Sequence, residues 1–499
     1  MAQGTMVGLG EGPTGQDEAF LGHPRGLATL FMTELWERFS FYGMRGLLTL
    51  FLVTPASRGG MGLDTATALG VYSVYNSLIY MLSMPGGWLA DRLWGARTTV
   101  LIGGVVITAG HFVLAIPQTT TFYLGLALIA VGTGMLKPNV SSIVGALYAK
   151  DDLRRDGGFT LFYMSINLGA FLAPLVIGTV GQRVNWHLGF SLAGVGMCLG
   201  LAQYVRGARH LGAAGLLPAR PAAPAERRRA LRLAGLWGGL AVSAFGVDAG
   251  LGTFSIHQVV NLLATVGVLL PVLYFARMRR DRGLTAQDRA RIGAYVWFFV
   301  AAAVFWMIYD QTGSTLTVFA TTQTDLSAFG FRFPSSWFQS VNPLLIVVLA
   351  PVFAWIWQSL ARRGREPGTP GKFATGLLLI GLSFGVMGLA SIAARGGTLV
   401  SPLWLVSVYL IQTLGELFLS PVGLSVTTKL APAKFVSQML GLWFLASATG
   451  DAVAGWTTQL TRVMSQNAYF CTQGGLAVLC AVAFSLAAGR IRALMRGVN

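Results

Sequence analysis

The sequence predicts an all-α polytopic membrane protein, and three observations predict it. Of 499 residues, 54% are hydrophobic and only 11% charged, less than half the roughly 25% charge of a soluble domain. The apolar residues gather in runs close to the roughly 20 residues that a helix needs to cross about 30 Å of hydrocarbon. The basic residues collect on one side of those runs, so the net charge of +17 reports topology rather than nucleic-acid binding. The 64 Gly and 19 Pro lie scattered without period, which with the apolar content excludes collagen, coiled coil and disorder.

Taken in order, residues 1–26 are polar and Gly-rich without a signal-peptide core, and are expected to remain as an uncleaved cytoplasmic tail. Apolar runs then predict spans at 27–53, 66–90, 98–117, 121–147, 159–181 and 187–205. A Pro/Ala/Arg-rich stretch, 207–230, reads as a linker, followed by a short seventh span at 233–248 and an eighth at 257–276. After a second linker, 278–290, come 292–321, 336–361, 373–395, 402–428, 435–461 and 468–489, and residues 491–499 form a cytoplasmic tail. The count is fourteen. With the amino terminus inside, only Arg58, Arg183, Arg332, Arg395 and Arg462 of the 36 Lys and Arg fall outside, and Arg38, Arg45 and Lys137 fall within the membrane.

The densest basic stretches, Arg227 to Arg229 with Arg232 and Arg277 to Arg282, flank an apolar hairpin with six spans before it and six after. The expected plan is therefore a six-helix bundle over 27–206, linkers and a two-helix insertion over 207–290, and a second six-helix bundle over 291–490. Two such halves suggest a repeat-built transporter with its site near the midplane. Internal similarity is faint, pairing Lys137-Pro138-Asn139-Val140-Ser141 with Ser420-Pro421-Val422-Gly423-Leu424-Ser425. Cys198, Cys471 and Cys480 each sit in apolar runs and are expected to be small core residues, so neither a disulfide framework nor a metal site is indicated.

Ionisable side chains inside spans are functional hypotheses by default, because each costs several kcal/mol at the bilayer centre even on lenient scales. On the first span Glu34, Glu37, Arg38, Phe41 and Arg45 fall at i, i+3, i+4, i+7 and i+11, one face of a helix that cannot point at lipid. A structural ion-pair ladder is the bland alternative, and five positions on one stripe favour a polar cavity over it. Lys137 stands on a helix weakened by Gly132, Gly134 and Pro138. The Gly-x-Gly before it is not a phosphate loop, lacking the strand and the spacing. Asp310 and Glu416 have no basic neighbour in sequence, so each must find a partner across the cavity, stay protonated or bind a cationic ligand group. Asp451, among Ala, Ser and Gly, reads as a structural residue at a close helix contact, and His111 as structural too.

The segment Gly87-Trp88-Leu89-Ala90-Asp91-Arg92-Leu93-Trp94-Gly95 resembles the loop motif of the major facilitator superfamily, with Asp91 and Arg92 as an interhelical hinge. A narrower resemblance follows. Glu34-Leu35-Trp36-Glu37-Arg38-Phe39-Ser40-Phe41-Tyr42-Gly43, Phe162-Tyr163-Met164-Ser165-Ile166-Asn167-Leu168-Gly169 and Gly415-Glu416-Leu417-Phe418-Leu419-Ser420-Pro421-Val422-Gly423 look like three signatures of the proton-dependent oligopeptide transporters. The resemblance runs from about residue 22 to 490 and implies a major facilitator-like core of two six-helix halves with two extra helices between them.

It further implies a secondary active proton:di/tripeptide symporter working by alternating access, in a bacterial inner membrane with both termini cytoplasmic. Arg45 and Lys137 would engage the peptide carboxylate, and Glu416, helped by Asn167 and Asn342, the ammonium. Tyr42, Tyr80, Phe305, Trp306 and Trp443 would contribute apolar pockets, and Pro138, Pro421, Asp91 and Arg92 the gates. Glu34, Glu37, Arg38, Lys137 and Asp310 would couple the proton, with protonation of Glu37 releasing Arg38 and Lys137 from ion pairing. Two departures bear on this: Phe41 stands where the family often has Tyr, and Asp310 where it usually has the longer Glu, which puts the reach of that acid in question. The implied partners are small peptides, protons and lipid, with no cofactor, nucleic acid or obligate protein partner. The alternatives are a transporter of another small anion or zwitterion, such as nitrate or a drug-like conjugate, and a non-transporting sensor. An intramembrane enzyme lacks its motifs, with no HExxH and no G-x-S-x-G paired with a usable His.

Overall fold

The computed structural model describes residues 19–149, 151–252, 255–328, 330–497. Most of the expected amino-terminal tail, residues 1–18, and the last two residues of the carboxy-terminal tail lie outside them. The chain is helical throughout apart from a two-stranded hairpin, β1 (Ser327–Ala328) and β2 (Phe331–Arg332), paired antiparallel. Its long helices are α1 (Arg25–Val53), α2 (Thr65–Leu89), α3 (Ala96–Leu114) and α4 (Thr119–Ala146). There follow α5 (Arg155–Arg183), α6 (Trp186–Leu211), α7 (Pro224–Gly250) and α8 (Ile256–Arg279). The second half comprises α9 (Ala286–Thr322), α10 (Ser335–Arg362), α11 (Thr369–Ala393), α12 (Leu403–Leu430), α13 (Val436–Thr457) and α14 (Gln466–Met495).

Ten of these are long and apolar enough to cross a membrane: α3 to α6, α8 to α12, and α14. Three of the other four fall short for physical reasons: α1 carries Arg25, Glu34, Glu37, Arg38 and Arg45, and α2 and α13 are diluted by Ser, Thr, Gly and Asn or Asp. The seventh helix is not the short 233–248 expected, because the Arg-rich segment before it continues the helix back to Pro224, for 27 residues. The linkers shrink accordingly, since 224–230 and 286–290 are helical.

The two sets of six helices pack by the same plan. α1 against α5 and α6, α3 against α4 and α6, and α2 against α4 recur as α9 against α13 and α14, α11 against α12 and α14, and α10 against α12. Small residues permit the closest approaches: a Cβ on Gly132 of α4 would come 2.6 Å from the Gly103 carbonyl of α3. The halves meet along two seams, α2 with α13 and α5 with α10. α8 covers the first seam, packing on both α13 and α2, while α7 is exposed along most of its length. Cys198 and Cys471 are exposed and Cys480 half-buried, not core residues as expected. A bilayer-facing surface is itself apolar, so apolar neighbours in sequence do not distinguish inside from outside.

Candidate functional site

The stripe on α1 is buried, as its spacing requires. Glu34, Glu37 and Arg38 are each at most 3% exposed. Arg38 Nε stands 2.8 Å from Glu34 Oε1 and 2.7 Å from Glu37 Oε2. Only the first contact is aligned as a hydrogen bond, leaving both Glu37 oxygens and Glu34 Oε2 without a hydrogen-bond partner among the described residues. Two carboxyls sharing one guanidinium in a dry site leave a surplus of negative charge, which a proton neutralises at the least cost. Phe41, despite lacking the hydroxyl, still serves Arg38, whose guanidinium lies 5.6 Å from the ring centroid.

Lys137 is within electrostatic reach of Glu37 and Glu34. It makes no ion pair among the described residues, and its ammonium instead sits 4.0 Å from the centroid of Tyr80. The expected Glu37–Lys137 ion pair is not formed, and Lys137 makes a cation–π contact in its place. Pro138 lies within the helix that carries Lys137, and Asn139 next to it donates to the Gly86 carbonyl of α2 at 3.2 Å. Gly86 must be glycine there, since a Cβ would collide with the Gly134 backbone.

Arg45 is committed elsewhere. Its Nη2 lies 2.8 Å from Asp310 Oδ1 and 3.4 Å from the Asp310 carbonyl, and its Nε donates to the Tyr72 hydroxyl. The pairing is possible because α9 tightens into a 3₁₀ turn at Asp310–Gly313, and a Cβ on Gly313 would collide with Tyr72. The short side chain of Asp310 does reach its cation, and Arg45, expected on the substrate carboxylate, is occupied by protein groups in this conformation.

Glu416 in α12 accepts from the Tyr309 hydroxyl at 2.8 Å and from Asn342 Nδ2 at 3.1 Å, on Oε2 in both cases. Asn342 thus joins Glu416 as expected. Asn167 does not, for its amide donates to the Tyr163 carbonyl one turn back. Trp306 and Phe305 stack edge-on to each other, and both contact Tyr309. Trp443 packs where a Cβ on Gly423 would stand, against α12. Tyr42 lies within reach of Arg38, Arg45, Glu416 and Asp310 together, which places it between the charge groups of the two halves. Lys137, Tyr42, Tyr80, Trp306, Tyr309, Asn342 and Glu416 are half-buried although they sit in mid-helix. Partial exposure in mid-helix leaves these side chains accessible beside the buried ion pairs.

A ladder of hydrogen bonds joins the halves from mid-bundle to the end away from the termini. Along α2 and α13 it comprises Ser77 to the Ala448 carbonyl at 2.7 Å, Asn76 to Asp451 at 3.2 Å, Gln459 to the Ala66 carbonyl at 3.2 Å, and Arg462 to Asp64 at 2.9 Å. Along α5 and α10, Ser340 donates to the Phe171 carbonyl at 2.7 Å, and Trp337 to Thr179 and Gln182 to Ser335, both at 2.8 Å. At the end of the first seam partial burial opposes ionisation of Asp64, but hydrogen bonds from Thr67 and Arg462 outweigh it and hold the carboxyl down to about 2. At the opposite end, Asp91 and Arg92 sit in a π turn, where their carbonyls accept from Arg220 and Ala222 and Arg92 pairs with Glu226 of α7. This turn therefore grips the connection to the inserted helices.

Tyr72 and Tyr309 are site residues that the sequence reading omits. Tyr72, Asn76 and Tyr80 follow one another at i, i+4 and i+8, a polar stripe on α2 that could have disclosed the first. His111, fully buried, has no partner for either ring nitrogen among the described residues.

A family model described as POT family matches residues 97–472. The chain is 45% identical over 485 residues to the uncharacterized transporter YclF of Bacillus subtilis (strain 168), covering 96% of this chain and 97% of that protein. It is 41% identical over 500 residues to a di-/tripeptide transporter of Lactococcus lactis subsp. cremoris, covering 97% and 99%. Among solved structures, a crystal structure of peptide transporter POT in complex with sulfate superposes with a TM-score of 0.93 at 46% identity, covering 96% of this chain and 98% of that one.

Proposed function

The chain belongs to the POT family, and from that premise we propose that it is a secondary active proton:di/tripeptide symporter. It is a multi-pass transporter, not an enzyme. In this reading all fourteen long helices span, the halves 27–206 and 291–490 rock about the cavity, and both termini are cytoplasmic in a bacterial inner membrane. The conformation described is then closed to the outside along both seams.

One observation carries the reading. Lys137 in one half and Glu416 in the other are half-buried in mid-helix, Lys137 against the Tyr80 ring and Glu416 against Tyr309 and Asn342, and neither has an oppositely charged protein partner within ion-pair distance among the described residues. A desolvated ion without a counter-ion is costly, and a ligand that brings a carboxylate to the lysine and an ammonium to the glutamate relieves both costs at once. The two ends of a short peptide meet that requirement whatever its side chains are, and the aromatic walls accept those side chains without a specific polar match. Protonation of Asp310 would free Arg45 to join Lys137 on the carboxylate, and the Glu34–Glu37–Arg38 cluster would hold the coupled proton. Proteoliposomes containing the pure protein should accumulate a labelled dipeptide under an inward proton gradient and not after an ionophore collapses it. Equal uptake under both conditions would falsify proton coupling.

A further inference from the structure

Asp451 is assigned neither to the ligand nor to the coupled proton above, yet it is among the most enclosed acids of the described residues, 1% exposed within α13. Its sequence surroundings, Gly450 and Ala452, suggest a packing residue, and a packing residue has no need of a carboxyl. Asn76 of α2 donates to Oδ2 at 3.2 Å, and Oδ1 has no hydrogen-bond partner among the described residues. The surroundings of Asp451 bring few compensating groups, and α12, which also packs on α13, adds the acid Glu416 and, in its last turn, Lys429. Asp310 from α9, Arg45 from α1 and Lys137 from α4 act on Asp451, and Tyr72 and Tyr80 of α2 feel it in turn. The facing stretch of α8, residues 260–271, contains no titratable side chain. The nearest cation is already committed, since Arg45 pairs with Asp310 and Tyr72. Ionised Asp451 would therefore bury a second negative charge beside Asp310 with a single amide donor to stabilise it, which a dry site does not tolerate.

We propose that Asp451 is a second proton-binding site in the carboxy-terminal half, loaded when the α2–α13 seam is open and required in its neutral form for that seam to close. The inference rests on the alternating-access reading given above. The bonds from Asn76 to Asp451 and from Ser77 to the Ala448 carbonyl cross from one half to the other, so parting the seam hands the carboxyl to water. There the carboxylate takes a proton from hydronium, leaving water and a neutral acid. Closure then desolvates no charge and gives the acid its bond from Asn76. An ionised Asp451 opposes the same closure, so a low external pH favours the closed seam.

The test reads seam closure directly and needs no transport. Spin labels at Ser57→Cys and Val463→Cys, exposed in the connections at the outer end of the two halves, report the distance across the seam in reconstituted protein whose native Cys198, Cys471 and Cys480 are replaced. The wild-type background should shift toward the short distance as pH falls. Asp451→Asn, which keeps a hydrogen-bonding partner for Asn76 but cannot titrate, should give the short distance with a much flatter pH dependence. Asp451→Glu should retain the dependence. An unchanged pH profile in Asp451→Asn, or the same flattening in both variants, overturns the proposal. If Asp451→Asn does not fold, infrared spectra decide: a protonated-carboxyl band in the wild type must move in Asp451→Glu, and its failure to move also overturns it. Absence of gradient-driven peptide uptake by the wild type would instead count against the symporter reading and leave these two readouts to judge Asp451.

Discussion

Arg45 of α1 and Asp310 of α9 meet at 2.8 Å across the boundary between the two halves, although 265 residues separate them in the chain. Both are nearly buried, 7% and 3% exposed. Such a pair is weak as glue, because desolvation offsets most of its attraction, and strong as a switch, because neutralising one member strands the other. Beside it Thr49 donates to the Gly313 carbonyl at 2.6 Å, so the break in α9 is held to α1 by side chain and backbone together.

Asp310→Asn should loosen the outward-closed state and uncouple transport from the proton. The amide is isosteric and can still bond Arg45, so the fold should survive while the charge attraction is lost. The expected outcome is loss of gradient-driven uptake, with labelled-for-unlabelled peptide exchange across equal pools persisting. Wild-type accumulation by this variant would remove Asp310 from the coupling scheme.

Glu37→Gln addresses the other acid cluster. Glu37 shares Arg38 with Glu34 in a site from which water is excluded, so one negative charge too many is present whenever both are ionised. Fixing Glu37 neutral should abolish concentrative uptake and spare exchange. Concentrative uptake at the wild-type rate would mean that the cluster is a structural ladder, the bland alternative that its spacing alone cannot eliminate.

The fold was legible because hydrocarbon thickness dictates the length of an apolar run, and the boundaries of α1 and α2 fall within a residue or two of the expected ones. α7 was misjudged at its start because Arg227, Arg228 and Arg229 break the apolar run without breaking the helix. The Glu34–Glu37–Arg38 cluster was legible because helical spacing alone brings it together. The Arg45–Asp310 pair was not, since no local periodicity relates residues on different halves. Tyr309 was hidden for another reason: in sequence it closes the apolar aromatic stripe of Phe305 and Trp306, and only the fold turns its hydroxyl to Glu416.

The latch between Asp64 and Arg462 should be insensitive to physiological pH. The folded-state carboxyl is held near 2, below its ordinary value, so its contribution is fully present above that ordinary value and is lost only as pH falls through about 2. The pair is substantially exposed, and Asp64→Asn should cost no more than about 1 kcal/mol. Hydrogen-exchange protection of the 54–64 loop should drop slightly and equally at pH 5 and pH 8. A loss confined to one of these pH values would overturn the assignment of the latch to the Asp64–Arg462 pair alone.

Lys137→Ala should weaken binding of a free-acid dipeptide by about 1.5 to 3 kcal/mol, at least tenfold, the value of a hydrogen bond to a charged group. A carboxy-amidated dipeptide should bind the unmutated protein poorly and lose little further on mutation. Calorimetric titration of both ligands against both proteins checks this, and equal affinity of the unmutated protein for acid and amide would remove the carboxylate site.

Glu416 offers the sharpest test, because the residue has a competing role as a further proton carrier. Its Oε2 is held by two neutral donors, Tyr309 and Asn342, and Asn342 is itself oriented by a 2.9 Å bond to Thr413. Neutral donors position a carboxylate without cancelling its charge, so the site remains a good receptor for an ammonium. Glu416→Gln preserves the shape and one acceptor oxygen while removing the charge. It should weaken a free-amino dipeptide roughly tenfold or more and leave an amino-blocked dipeptide, already a poor ligand, little changed. Crossing mutation with ligand modification isolates the pairwise coupling, since two groups that interact lose less together than the sum of their separate losses. Additive losses would mean that Glu416 and the ammonium do not touch, and Glu416 would then be assigned to the proton.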